Sequence, residues 1–141
     1  MRLICAVLPL LALAGCSSFQ ADPENVRAVP AERLLAYQQP LDGGGQIVVN
    51  RDLGMLGGGC YVAVLVDRQV AARIGIGESA RFQVPAGTRV VGIGIDEQDD
   101  TLCGKGRLRR ELAVQVAQGA SQQLRIVSEA KGGFDIRPDT P

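Results

Sequence analysis

The sequence predicts an all-β protein: a single antiparallel β-sandwich of about seven strands, with a short N-terminal helix and a cleaved signal peptide ahead of it. Two observations carry this expectation. From Gly43 onward apolar residues recur with period two, the spacing that sends alternate side chains to one face of a sheet. Glycine, proline and aspartate cut the same region into short runs, which is the punctuation of a sandwich. At 141 residues the chain holds one domain, large enough to bury a core without outside help. The expected division is a signal peptide over 1–15, a tether over 16–30, a short helical segment over 31–42 and the sandwich over 43–141.

The N-terminus comes first. Arg2 supplies a positive start, and residues 3–14 (LICAVLPLLALA) form an apolar run too short to span a bilayer. Small residues follow it, as in a signal peptide. The end of the run, Leu13-Ala14-Gly15-Cys16, resembles the lipobox of bacterial lipoproteins. In that family the cysteine thiol receives a diacylglycerol, the peptide is cut just before it, and the new amine is acylated. The resemblance implies that Cys16 becomes the first residue of the mature chain. One acyl chain binds a membrane marginally, whereas two or more make a stable anchor. Ser17 follows the cysteine. In lipoproteins of this kind a serine there goes with transport to the outer membrane, and aspartate there with retention in the inner membrane. The competing reading is an ordinary secretory signal followed by a structural cysteine.

Residues 17–30 (SSFQADPENVRAVP) are polar, aperiodic and contain two prolines, so they read as a tether. Residues 31–38 (AERLLAYQ) fit about two helical turns between Pro30 and Pro40, with Leu34, Leu35 and Tyr37 on one apolar side. A helix that short is unstable alone and must dock, here on the domain's own edge.

Strands follow in order. Residues 46–51 (QIVVNR) make the first. Residues 60–66 (CYVAVLV) are apolar on both faces and therefore central. Asp67-Arg68 is a two-residue hairpin spacing before residues 69–74. Residues 80–84 turn Ala80, Phe82 and Val84 inward. Residues 88–95 place Val91, Ile93 and Ile95 on one face and Gly92 and Gly94 on the other. Residues 108–116 alternate Leu108, Leu112, Val114 and Val116 against Arg109, Glu111 and Gln115, and Arg110 places the start of that strand outside the core. Residues 122–127 carry Leu124 and Ile126, and Phe134 and Ile136 suggest a last short strand. The echo between QVPAGT (83–88) and QVAQGA (115–120) predicts two hairpins, each turning on a glycine.

The stretch VAVLVDRQVAARIGIGESARFQVPAGTRVVGI resembles the PEGA-type small β-sandwich domains of bacterial envelope lipoproteins. Those run strand, Asp-Gly-like turn, strand, loop, strand, Pro-x-Gly turn, strand. Val66-Asp67-Arg68 and Pro85-Ala86-Gly87 hold the two turn positions. Arg68 replaces the usual glycine, and the motif that names the family is not intact. The resemblance covers about a third of the chain and implies a non-enzymatic surface or binding module.

Composition narrows the chemistry. Fifteen basic and fifteen acidic residues give no net field toward nucleic acid. The chain has no histidine, which removes Ser-His and Cys-His nucleophiles and imidazole ligands. Cys5 leaves with the signal peptide and Cys16 is the lipidation site, so Cys60 and Cys103 remain. In an oxidising compartment such a pair reads as one disulfide. The rivals are two free thiols or half a metal site, and two thiolates without histidine complete neither a zinc nor an iron–sulfur site. Closing that loop of about forty residues is worth about 4 kcal/mol in the chain-entropy model.

Gly75-Ile76-Gly77-Glu78-Ser79-Ala80 matches a loose dinucleotide fingerprint, but that chemistry needs a helix next, and ARFQV follows. Gly43–Gly45 and Gly57–Gly59 lack a P-loop lysine and read as loops before strands. Asp96, Glu97, Asp99 and Asp100 crowd four carboxylates into one segment without EF-hand spacing, so no metal site is expected. Lys105, Arg107, Arg109 and Arg110 follow Cys103. They either neutralise the acidic segment, the simpler reading, or meet membrane or lipid A phosphates. Together these eight charged residues are the expected partner surface.

The sequence thus suggests a non-enzymatic lipoprotein, lipid-anchored in the cell envelope at the periplasmic face of the outer membrane. It needs no cofactor and binds or supports an envelope protein, peptidoglycan or lipopolysaccharide. The alternative is a small cell-wall or lipid hydrolase using carboxylates, or a serine with Lys105 or Lys131.

Overall fold

Alternating small and β-branched apolar side chains build two sheets that pack face to face. A computed structural model of the chain describes residues 18–54, 60–98, 109–129 and 133–139. Among them are nine strands: β1 (Arg27–Ala28), β2 (Gly44–Arg51), β3 (Val62–Val66), β4 (Gln69–Ile74), β5 (Glu78–Pro85), β6 (Gly87–Ile95), β7 (Arg109–Val116), β8 (Ser121–Glu129) and β9 (Gly133–Pro138). One sheet has the order β1-β5-β2-β8-β9, the other β4-β3-β6-β7. The core between them is a single apolar cluster that includes Ile47, Val49, Val64, Ile74, Phe82, Ile93, Leu124 and Ile126. Each such side chain contributes roughly 1.5–3 kcal/mol when fully removed from water.

The all-β sandwich is as expected, with β3 central in its sheet. The purely antiparallel arrangement is not. β2 pairs with β8 in parallel, Gln46 opposite Ser121, and β1 pairs with β5 in parallel. The reason lies at the two Gln-Val-x-x-Gly echoes. Neither is a hairpin. At Pro85-Ala86-Gly87 the chain leaves β5 in one sheet and enters β6 in the other, and at residues 117–120 it crosses back from β7 to β8. Val84 and Val116 are the last buried residues before each crossing, and Gly87 and Gly119 take positive φ (120° and 72°) to make the corner. The two-residue hairpin at Asp67-Arg68 does form. Both residues have positive φ (47° and 65°), the type I′ signature, and Val66 pairs with Gln69.

The expected tether is instead built into the body from Ser18 onward. β1 extends the β5 edge, and the Val29 N–H donates to the Ser79 carbonyl (3.0 Å). The helix expected within 31–42 is a single 3-10 turn, Ala31–Arg33. Beyond it the backbone extends, because it has sheet edges to satisfy. The Leu35 and Ala36 N–H groups donate to the Ala71 carbonyl of β4, and the Tyr37 carbonyl accepts from Gln83 of β5 (2.7 Å). Residues 27–38 thereby cover the open edges of both sheets on one side of the sandwich, an arrangement that blocks edge-to-edge pairing. Extended backbone also splits the expected apolar side: Leu34 packs on the core while Leu35 is exposed.

Candidate functional site

Strand direction gathers most of the charged chemistry at one end. β2, β4, β6 and β8 finish there; β3, β5, β7 and β9 start there. Arg51 ends β2 on the same inward row as Ile47 and Val49 and is 4% exposed. Its Nη1 donates to the carbonyls of Cys60 (2.6 Å) and Ile74 (2.9 Å), and its guanidinium lies 5.2 Å from the Phe134 ring centre. Burial pushes its pKa down to about 10, so it stays charged at neutral pH and closes the core with a cation.

Beside it, two arginines flank one ring. The Arg33 and Arg73 guanidinium carbons lie 4.3 and 5.0 Å from the centre of Tyr61, within cation–π range. Each has a carboxylate. Arg33 grips Glu78 through both terminal nitrogens at 2.7 Å, and Arg73 holds Asp96 at 2.7–2.9 Å. Glu78 also accepts from the Gly75 N–H (2.7 Å). Burial alone raises the Glu78 pKa, but the Arg33 pair and the Gly75 donor outweigh it and hold the carboxyl below the usual carboxylate range. The same hydrogen bond raises Arg33 against the opposing effect of burial.

A third pair ties down the N-terminus. Asp52, 5% exposed, receives Arg125 in a fork (2.6 and 2.7 Å) and the Ser18 hydroxyl (2.7 Å). The Ser128 N–H donates to Ser18 Oγ (2.8 Å), and the Ser18 N–H donates to the Ser128 carbonyl (2.9 Å). Phe19 and Leu53 exchange two backbone hydrogen bonds of 2.9 Å. The Phe19 side chain is 60% exposed, the most exposed large apolar group among the described residues.

Two clefts flank β1. One of about 680 Å³ runs between the N-terminal segment and the outer face of the five-stranded sheet, over Val48, Asn50 and Gln123. The other, about 490 Å³, is bounded by Arg27, Arg33, Tyr61 and Glu78.

The expected partner surface fares unevenly. Asp96 is not part of a solvated acidic loop. It is 4% exposed and committed to Arg73, because it follows the end of β6, which lies one strand (β3) away from the end of β4 that carries Arg73. Arg73 therefore neutralises it without the downstream basic run. Glu97 is exposed in the turn that follows. Arg109 opens β7 and Arg110 is exposed on it. Asp99, Asp100, Cys103, Lys105 and Arg107 lie outside the described residues, as do Cys16, Gly57–Gly59 and Lys131. Gly75-Ile76-Gly77 leads straight into β5 with no helix, and its phosphate-binding reading falls on that ground. Among the described residues no group of three or more histidine, cysteine, aspartate or glutamate residues is placed to hold a metal, and no helix is long and apolar enough to cross a membrane.

Sequence reading missed Arg33, Arg51, Asp52, Arg73, Glu78 and Arg125. One signal was present: Arg51 falls on the inward parity of Ile47 and Val49, where a charge has to find buried partners. Comparisons of the chain with protein-family models, curated proteins and solved structures find no match.

Proposed function

We propose that this is a lipid-anchored, non-enzymatic envelope module of the periplasmic face of the outer membrane, held by acylated Cys16 and serving an envelope partner. The observation that carries the reading is the fate of the residues just after the lipobox-like Leu13-Ala14-Gly15-Cys16. Ser18 and Phe19 are fastened to the body by the hydrogen bonds to Asp52, Ser128 and Leu53. In place of the expected free tether, the folded body starts two residues after Cys16, which supports a mature chain that begins there. The buried carboxylates Asp52, Glu78 and Asp96 are each held by a guanidinium. That favours a structural role for them over the general acid and base of a hydrolase.

A Cys60–Cys103 disulfide belongs to the same proposal. Cys60 is 7% exposed just before β3, and the connection that contains Cys103 departs from β6 at the same end of the sandwich. The proposed partner surface is the charged segment from Glu97 to Arg110, without Asp96, which is buried against Arg73.

Cys16→Ala tests the anchor. The expected result is an unprocessed or soluble protein, and membrane retention of a processed form overturns the reading. Crosslinking the intact envelope and recovering the protein by a C-terminal tag tests the partner. Substitution of Lys105, Arg107, Arg109 and Arg110 is expected to abolish one defined crosslink. An unchanged crosslink moves the partner surface elsewhere; none in either form leaves peptidoglycan and lipopolysaccharide as binding targets to assay.

A further inference from the structure

We propose that the end of the sandwich bearing Ser18 and Phe19 is itself a lipid-contacting surface, with the Phe19 ring seated in the headgroup layer of the bilayer that holds Cys16. The inference rests on the lipid-anchor reading and adds an orientation to it. Two residue steps separate Cys16 from Ser18, and two extended residues reach about 7 Å. The Ser18 backbone and hydroxyl are fixed on Ser128 and Asp52, so this short leash cannot lengthen by peeling away without breaking three hydrogen bonds. A bilayer's headgroup layer is itself about 5–8 Å deep. An acylated Cys16 therefore draws the fixed Ser18 down to that layer.

Phe19 is the next residue. Its backbone is pinned by Leu53 while its ring projects 60% exposed. An aromatic ring held rigidly beside an acyl anchor loses little entropy on entering the interface, and burying it there adds to the anchor. The opposite end, with the Asp67-Arg68, Pro85–Gly87 and Gln118-Gly119 corners, then points away from the membrane.

The chain has no tryptophan, so Phe19→Trp introduces a single reporter at an exposed position. Ala86→Trp, exposed at the far end, is the control. Each full-length lipidated protein is reconstituted into vesicles of phosphatidylethanolamine and phosphatidylglycerol, with retained strand content checked by circular dichroism. Brominated acyl chains are expected to quench the Phe19→Trp emission several-fold more than that of the control, and aqueous acrylamide the reverse. A benzophenone side chain placed at position 19 gives a second reading, with crosslinks to lipid expected. If the protein floats with the vesicles but position 19 is quenched like the control and crosslinks no lipid, the orientation is overturned and the anchor stands. If the protein does not float and its N-terminal peptide carries no acyl mass, both fall.

Discussion

The two ends of this sandwich are built by opposite means. At one end the chain turns through short corners of glycine, proline and aspartate, and each corner is explained by its own few residues. At the other, Arg33, Arg51, Arg73 and Arg125 reach carboxylates and carbonyls far away in sequence, and the N-terminus is stitched to Ser128. The first end is defined by backbone conformation, the second by electrostatics. The comparison teaches where tolerance lies: the corner end should feel changes of shape, and the charged end changes of charge.

The largest effect is expected at the charged end. Glu78→Ala removes the partner of a nearly buried Arg33 and the acceptor of the Gly75 N–H, and should cost about 3–5 kcal/mol in urea unfolding. Glu78→Gln keeps the side-chain volume and one of the two acceptor oxygens without the charge, and should cost less. The same pair sets a pH response. The folded Glu78 carboxyl ionises more readily than the unfolded one, so its contribution is complete above the ordinary carboxylate range. It is lost as the pH falls through that range and on through the lower folded value. Glu78→Gln should flatten this part of the stability–pH curve; a curve of unchanged slope would assign the acid sensitivity to other groups.

At the corner end the expected effects are smaller and steric. A Cβ at Gly45 would run into Val116 and the carbonyls of Ala117 and Ala120, so Gly45→Ala should destabilise by about 2 kcal/mol. Arg68 takes φ 65° in the type I′ turn, where its exposed pairing with Glu111 at 3.5 Å offers little in return. Arg68→Gly should therefore stabilise by about 0.5–1 kcal/mol, read as a higher melting temperature. A loss instead would show that the Arg68–Glu111 contact outweighs the backbone strain.

The same contrast decides what could be read from the sequence. The Asp67-Arg68 hairpin, the inward row of β5, Val91 and Ile93 of β6 and the central place of β3 are written in neighbouring residues and appear as expected, while Ile95 at the end of β6 is only half-buried. The Pro85–Gly87 and Gln118-Gly119 corners were visible as turns, but not that they change sheets, because turn chemistry is nearly the same whether the next strand pairs or crosses. Residues 27–38 were misjudged for a related reason: their conformation is dictated by the bare edges of β4 and β5, which do not exist until the sheets do. The arginine pairs were hidden further. Nothing local distinguishes Arg33, which is buried, from Arg27, which is exposed.

The parallel pairing of β2 with β8 has a consequence for how the chain reaches this state. Gln46 cannot meet Ser121 until nearly the whole chain is present, and Ser18 waits still longer for Ser128. Contacts so remote in sequence make for slow folding, because the loops must close before any pairing rewards them. Among the described strands, the β3–β4 and β8–β9 hairpins are the local units that can form early. Until β8 arrives, β2 and β5 form an incomplete sheet with bare strand edges, the state in which such a chain is most open to aggregation and most in need of a holding chaperone.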